Sequence, residues 1–184
     1  MIRKTDDATV VRDAAVDDAP AIARIFAYHV LNSLGTFELT PPTVEETTTR
    51  IASLAQRGLP YLVAVVDGLV VGFCNASTYR PRPGYRYSVE NAVYVTDGFA
   101  GRGIGTRLLT ELIARCERGP WRQMVAVIGD SGNVASIALH RKLGFRHVGT
   151  LQAVGFKLGR FADTVVMQRA LGPGEATLPT NGQA

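Results

Sequence analysis

Val93-Tyr-Val95, Thr96-Asp-Gly-Phe-Ala100 and Gly101-Arg-Gly-Ile-Gly-Thr106, followed by an apolar-periodic run, form the stretch on which the reading of this chain turns. A β-type segment passes through a glycine-rich turn into a helix predicted over Gly103 to about Arg118. Ile104, Leu108, Leu109, Leu112, Ile113 and Cys116 recur at helical spacing and predict one buried stripe. Glycines let backbone approach a ligand closely. The first N–H groups of a helix lack intrahelical partners and sit at the positive end of its dipole, so they suit an anion. A plain turn requires the same glycines, so the motif alone leaves both readings open. The spacing G-x-G-x-G is not the dinucleotide G-x-G-x-x-G, which needs glycine where Thr106 stands, and the Gly-Lys-Ser/Thr ending of a nucleoside-triphosphate loop is missing. What remains is a diphosphate gripped mainly by main chain, with Arg102 nearby.

Upstream, Thr9 to Ala14 reads as a strand, and Asp17 or Asp18 offers an N-cap for a helix from about Pro20 to Leu31. Ile22, Ile25, Phe26, His29 and Val30 make its apolar face. After a loop over Asn32 to Pro42, Thr43-Val-Glu-Glu46 is a capping box for a second helix that stops at Gly58. Asp67-Gly68 between Tyr61–Val66 and Leu69–Tyr79 predicts a tight antiparallel hairpin. A third antiparallel strand is expected from about Arg86 to Val95. Downstream, Met124 to Ile128 has the continuous apolar character of an interior strand covered on both faces. Asn133 caps a short helix ending at Leu143-Gly144, and Phe145–Leu151 and Thr164–Ala170 read as closing strands. Strands dominate the first half and strand–helix alternation the second, which points to an α+β or α/β domain around one mixed sheet.

The 184 residues, 46% hydrophobic and 20% charged, suit one domain with a sizeable core. The expected division is a flexible N-terminus at 1–8, a domain at 9–171 and a disordered, glycine-containing tail at 172–184. No apolar run approaches the roughly 20 residues of a membrane helix. Met1-Ile-Arg-Lys-Thr-Asp-Asp7 places acids where a signal peptide would be apolar, so a cytoplasmic setting is expected, with Cys74 and Cys116 as free, buried thiols. The net charge of +4 and a sequence pI near 9.3 invite a nucleic-acid reading. The dispersal of arginine from Arg3 to Arg169, with no basic helix face or tail, argues against it. No metal-ligand spacing is present.

The strand, the glycine-rich helix entrance and Asn133-Val-Ala-Ser-Ile-Ala-Leu-His140-Arg-Lys-Leu-Gly-Phe145 together resemble the acetyl-CoA-binding core of the GNAT superfamily of N-acetyltransferases. Ser88-Val-Glu90-Asn-Ala-Val-Tyr-Val95, the Leu139-His140 pair and Gly155-Phe-Lys157-Leu-Gly-Arg-Phe-Ala-Asp163 are similar to its phosphinothricin and methionine sulfone/sulfoximine N-acetyltransferase branch. The resemblance covers roughly Val10 to Leu171. It implies an α+β fold with a mixed central sheet flanked by helices, acetyl-CoA as co-substrate, no metal, a small-molecule amine as acceptor and a homodimer.

Carried onto matching positions, the resemblance implies that the backbone at Val93, Tyr94 and Val95 binds the pantetheine arm as another strand would. Gly101, Arg102, Gly103, Ile104, Gly105 and Thr106 would hold the pyrophosphate, and Asn133 would reach the arm from across a cleft. Ala100 stands where the family usually has Gln or Arg, three residues before the central glycine. Glu90 is the candidate general base, because an ammonium must lose a proton before its nitrogen can attack a thioester. His140 is the second catalytic candidate, open between general acid and assisting base. Arg80 and Arg86, ranked above Arg82, are candidates for an acceptor carboxylate, and Phe37 falls where the branch places an aromatic ring beside the substrate. Lys157 and Asp163 belong to the signature, with a structural role open to them. His29 and His147 are read as structural. The rival readings are an acetyltransferase for a protein N-terminus or a polyamine, and a non-catalytic CoA-binding sensor. The arginine loop disfavours the polyamine, and Glu90 with His140 disfavours the sensor.

Overall fold

The computed structural model describes residues 9–179. The N-terminus expected to be flexible, 1–8, lies outside the described residues, as does 180–184 of the expected tail. The chain runs through β1 (Val10–Asp13), α1 (Ala19–Asn32), α2 (Val44–Gln56), β2 (Tyr61–Val66), β3 (Leu69–Thr78) and β4 (Ser88–Val95). It continues through α3 (Ile104–Glu117), β5 (Gln123–Gly129), α4 (Val134–Lys142), β6 (Arg146–Lys157) and β7 (Arg160–Ala170). The seven strands make one sheet in the order β1-β2-β3-β4-β5-β7-β6. Every neighbouring pair is antiparallel except β4 with β5. The expected α+β architecture, a mixed sheet flanked by helices, is what the chain adopts.

Local sequence explains much of this order. Asp67 and Gly68 both take positive φ, 50° and 78°, as a two-residue hairpin turn of this hand requires. At α2 the Thr43 hydroxyl accepts from the Glu46 N–H (3.1 Å), and the Glu46 carboxylate accepts from the Thr43 N–H (2.7 Å). At α1 the expected Asp cap takes a different form. Asp18 occupies the N-cap position, but its carboxylate turns back to accept from the Ala15 N–H (2.8 Å) and to pair with Arg12 (2.6 Å). It thereby closes the preceding 3-10 turn, Val16–Asp18, and leaves α1 without a side-chain cap.

Alternation along β3 sets the two layers. Gly72 and Cys74 face α3, the latter through a Cys74 Sγ contact to the Leu108 carbonyl, whereas Phe73 meets Phe26 of α1 edge-on. The α3 stripe read from sequence is buried at every position. In β5 the reading holds for Met124, Val125, Ala126 and Ile128, but Val127 is 38% exposed, so one face is not fully covered.

The largest departure is at the end of the domain. β6 and β7 do not stop at Leu151 and start at Thr164; they run on as a long hairpin turning at Leu158-Gly159. Bulges between His147 and Gly149 and between Leu151 and Gly155 break its register. Val148, Leu151, Val154 and Phe156 are all exposed, so the segment has none of the inward–outward alternation by which a strand is read. After β7 the chain makes turns at Leu171–Gly174 and Pro173–Ala176, and Arg122 donates to Thr177 Oγ1 and the Leu178 carbonyl. Among the described residues no helix is long and apolar enough to cross a membrane.

Candidate active site

The site begins where the sheet forks. β4 and β5 pair in parallel only from Ser88↔Gln123 to Asn91↔Ala126, yet β4 continues to Val95 and β5 to Gly129. Beyond Asn91 the two strands diverge. The edge of β4 that faced β5 is left without a strand partner over Ala92–Val95, while its other edge stays paired with β3 as far as Val95↔Gly72. An unpaired strand edge is a template for an extended, amide-bearing chain. The cleft between the diverging strands has a volume of about 830 Å³.

Its lower wall is the start of α3. Gly101 and Gly103 have φ of 76° and 79°, left-handed values that glycine takes without steric cost. The first intrahelical bond is Arg107 N–H to the Gly103 carbonyl (3.0 Å), so the N–H groups of Ile104, Gly105 and Thr106 precede it. Gly105 serves packing instead: a side chain there would meet Leu139 Cδ2 at 3.3 Å. Val93, Tyr94, Val95, Gly101, Gly103, Ile104, Gly105, Thr106 and Asn133 all line the cleft. Arg102 does not; its guanidinium stacks on the Phe99 ring, 4.7 Å from the centroid. Asn133 caps α4 by accepting from the Ser136 N–H (3.2 Å). The residues fit a pantetheine arm along the β4 edge with a pyrophosphate at the helix entrance.

Alternation along β4 separates the remaining candidates. Glu90 and Tyr94 share the α1–α2 side with Phe73 of β3; Asn91 points the other way, to α4. Burial raises the Glu90 carboxyl above its ordinary value, and the Arg80 and Arg50 guanidiniums pull it partly back. His140 is 2% exposed and does not reach Glu90 by any hydrogen bond. Its Nδ1 lies 2.8 Å from the Ser136 carbonyl and its Nε2 3.0 Å from Asn91 Oδ1, while Asn91 Nδ2 donates to the Val125 carbonyl (3.2 Å). His140 therefore braces β4 at the point where β5 leaves it. Burial lowers its pKa, opposed by the Ser136 carbonyl, so the neutral ring is favoured.

Phe37 lies against the hairpin: a side chain at Gly155 would meet its ring at 2.5 Å. Arg80 and Arg86 are exposed on the loop before β4, stacked on Tyr79 and Tyr87. Of these two, Arg80 alone acts on the Glu90 carboxyl. Residues that the sequence reading left without a functional role complete the walls. His29 Nε2 bonds the Val95 carbonyl (2.9 Å), tying α1 to the β4 edge. Arg50, on α2, faces a second cavity of about 380 Å³ that shares Ala92 and Tyr94 with the cleft. These residues lie far apart along the chain, and no local spacing signals them.

Lys157 and Asp163 hold the frame. Lys157 is 3% exposed, and its Nζ donates to the carbonyls of His29 (3.4 Å), Ser33 (2.8 Å) and Thr36 (2.7 Å). It pins to the hairpin the loop whose Ser33, Leu34 and Gly35 line the cleft. Asp163 accepts from Ser131 Oγ (2.6 Å) and the Ala153 N–H (2.9 Å), fixing the loop before α4 to the β6 bulge. Those bonds hold its carboxyl below the usual range. Lys157→Met strips the buried carbonyls of their donor and should cost at least about 2 kcal/mol. By thermal unfolding that is a fall in Tm of roughly 4–8 °C for a chain of this size. An unchanged Tm would show the lysine to be dispensable. Cys74 and Cys116 are buried, and burial pushes the Cys116 thiol up to about 12 and Cys74 upward as well. Neither thiol is poised as a nucleophile.

A forked β4–β5 pair, a glycine-built helix entrance at its base and a carboxylate on the same strand define an acyl-CoA-dependent N-acyltransferase. Residues 27–145 match the Acetyltransferase (GNAT) family, and the chain belongs to that family. It is 51% identical over 170 residues to phosphinothricin N-acetyltransferase of Alcaligenes faecalis, covering 92% of this chain and 85% of the relative. It is 40% identical over 164 residues to the L-methionine sulfoximine/L-methionine sulfone acetyltransferase of Pseudomonas aeruginosa, covering 89% and 95%. Among solved structures, a GNAT superfamily phosphinothricin acetyltransferase from Sinorhizobium meliloti in complex with AcCoA superposes with a TM-score of 0.91 at 45% identity, covering 95% of this chain and 94% of that one. The protein is an acetyl-CoA-dependent N-acetyltransferase.

Proposed function

We propose that the acceptor is the primary amine of a small amino-acid-like molecule of the phosphinothricin, methionine sulfone or methionine sulfoximine class, and that Glu90 is the general base. One observation carries this reading: Glu90 projects from the strand edge that borders the cofactor cleft, with the charges of Arg50 and Arg80 acting on it. A carboxylate among guanidiniums suits a zwitterionic acceptor, whose ammonium it can deprotonate while an arginine pairs with the acceptor carboxylate. Arg80 is the favoured partner, with Arg86 further along the loop and Phe37 at the hairpin side. The names of the relatives point to the same class.

Acetyl-CoA supplies an electrophilic thioester carbonyl. Val93, Tyr94, Val95 and the main chain of the helix entrance Gly101–Thr106, with Asn133, would hold it, while the Arg102 side chain is turned onto Phe99; main-chain donors on the β4 edge can polarise the carbonyl. Attack is direct, in a ternary complex, which the high thiol pKa values support. The surroundings of His140 support a positioning role, holding Asn91 and through it the fork. Two further parts of the proposal are a cytoplasmic location, consistent with free thiols, and a homodimer. The latter is supported by Val148, Leu151, Val154, Phe156 and Phe161, which expose an apolar surface on the β6–β7 hairpin.

The test is thiol release from acetyl-CoA with phosphinothricin, methionine sulfone, methionine sulfoximine and spermidine offered separately. Release with one or more of the amino acids and none with spermidine is expected. Release with spermidine alone, or with no amine despite measurable CoA binding, would overturn the reading.

A further inference from the structure

The second cavity lies between α1, α2 and the α1–α2 side of β3 and β4, and meets the cofactor cleft along Ala92 and Tyr94. Asn75 of β3 lines it and is 2% exposed. Its carboxamide is hydrogen-bonded to the Tyr61 hydroxyl, yet its Oδ1 is buried with no hydrogen-bond partner among the described residues. Buried carbonyl oxygens are almost always paired, because leaving one unmade is costly, so an orphan oxygen on a residue that lines a cavity points to a partner that arrives with a ligand, reached by a small turn of the side chain. The register says which contact. Asn75 pairs with Ala92 and Ser77 with Glu90, so Asn75 and Glu90 share one face of the sheet as diagonal neighbours. Diagonal neighbours of this kind stand about 7–8 Å apart, room for one nitrogen to hydrogen-bond both side chains. Ala92, the residue paired with Asn75, is one of the two at which the cavity and the cleft meet.

We propose that Asn75 Oδ1 accepts an N–H from the acceptor amine and, with Glu90, fixes its orientation. This rests on the amino-acid-acceptor reading given above. The ammonium gives one proton to Glu90; one remaining N–H stays on Asn75, and the lone pair that is freed points into the cleft. The contact reads the amine and ignores whatever group the acceptor carries at its far end.

The test compares wild type with Asn75→Leu, close in shape but without the carbonyl. Two readouts are used: kcat/KM for methionine sulfone, methionine sulfoximine and phosphinothricin, and calorimetric binding of methionine sulfone and of 4-methylsulfonylbutanoate, the same molecule without its amine. The expected result is a loss of about ten- to a hundredfold in kcat/KM, similar for all three acceptors. Methionine sulfone binding should weaken while 4-methylsulfonylbutanoate binds both proteins equally. Unchanged kinetics, a loss confined to one acceptor, or equal weakening of both binding ligands overturns the assignment. Should Asn75→Leu not fold, Asn75→Ala, which removes the carboxamide without adding bulk or another acceptor, carries the same comparison. A wild type that acetylates none of the three amino acids overturns the acceptor reading itself, whereas an active wild type with an unaffected variant overturns only the role of Asn75.

Discussion

Glu90→Gln is expected to lower kcat by about 10²- to 10⁴-fold at neutral pH, the usual worth of a general base, while acetyl-CoA affinity stays within about twofold. The amide keeps the size of the carboxyl and removes only its capacity to take a proton. The proposed cofactor contacts are other groups, the β4 edge and the α3 entrance, so the two measurements should separate. The pH dependence follows from the environment. The base works only when ionised, and burial raises its pKa above the ordinary glutamate value. Wild-type kcat/KM should therefore fall as pH drops through a midpoint above the normal carboxylate range, and that acid limb should vanish in Glu90→Gln. His140→Gln should lower the rate and leave the Glu90 limb in place, because the imidazole, whose pKa burial lowers, braces β4 through Asn91. Equal losses of turnover and of acetyl-CoA binding in Glu90→Gln would show that the residue is structural.

Gly103→Val should do the opposite, weakening acetyl-CoA by tenfold or more with a smaller effect on kcat at saturating cofactor. The reason is conformational, not steric. A Cβ at Gly103 meets nothing within 4 Å, but φ is 79°, where an L-residue costs roughly 1–2 kcal/mol and a β-branched one more. The helix escapes that strain by shifting its first turn, and the N–H groups of Ile104, Gly105 and Thr106 then leave the pyrophosphate. Isothermal titration with acetyl-CoA measures the effect directly. An unaltered Kd would dismiss the helix entrance as the anchor.

What was legible in the sequence is what physics writes locally. Asp67-Gly68, the Thr43–Glu46 box, the α3 stripe and the glycines at 101 and 103 each depend on neighbours within a few residues, and each is found as read. Asp18 also sits where a cap belongs, but Arg12, six residues upstream, claims its carboxylate. The β6–β7 hairpin escaped because its apolar side chains are exposed and its register is twice bulged. Of the candidate site, the residues that line the cleft at the β4 edge and the α3 entrance were legible because each lies on a contiguous motif, whereas the Arg102 side chain lies outside it. The second cavity was not legible: Arg50, Tyr61 and Asn75 come from α2, β2 and β3, and only the fold gathers them. Lys157 was visible as a signature residue, but its three carbonyl partners lie more than a hundred positions away.

The fork in the sheet has one more effect. Between the block β1–β4 and the block β5–β7–β6, the ladder consists of four register pairs, Ser88↔Gln123 to Asn91↔Ala126. It is the shortest seam flanked by long strands, and past Asn91 the material suited to extend it is a metabolite. With acetyl-CoA placed as proposed, the pantetheine arm would work as a removable suture between two halves of the protein. Its contribution follows mass action, about 2.7 kcal/mol at a free concentration a hundred times the Kd. How firmly the enzyme holds together would then depend on the acetyl-CoA supply around it.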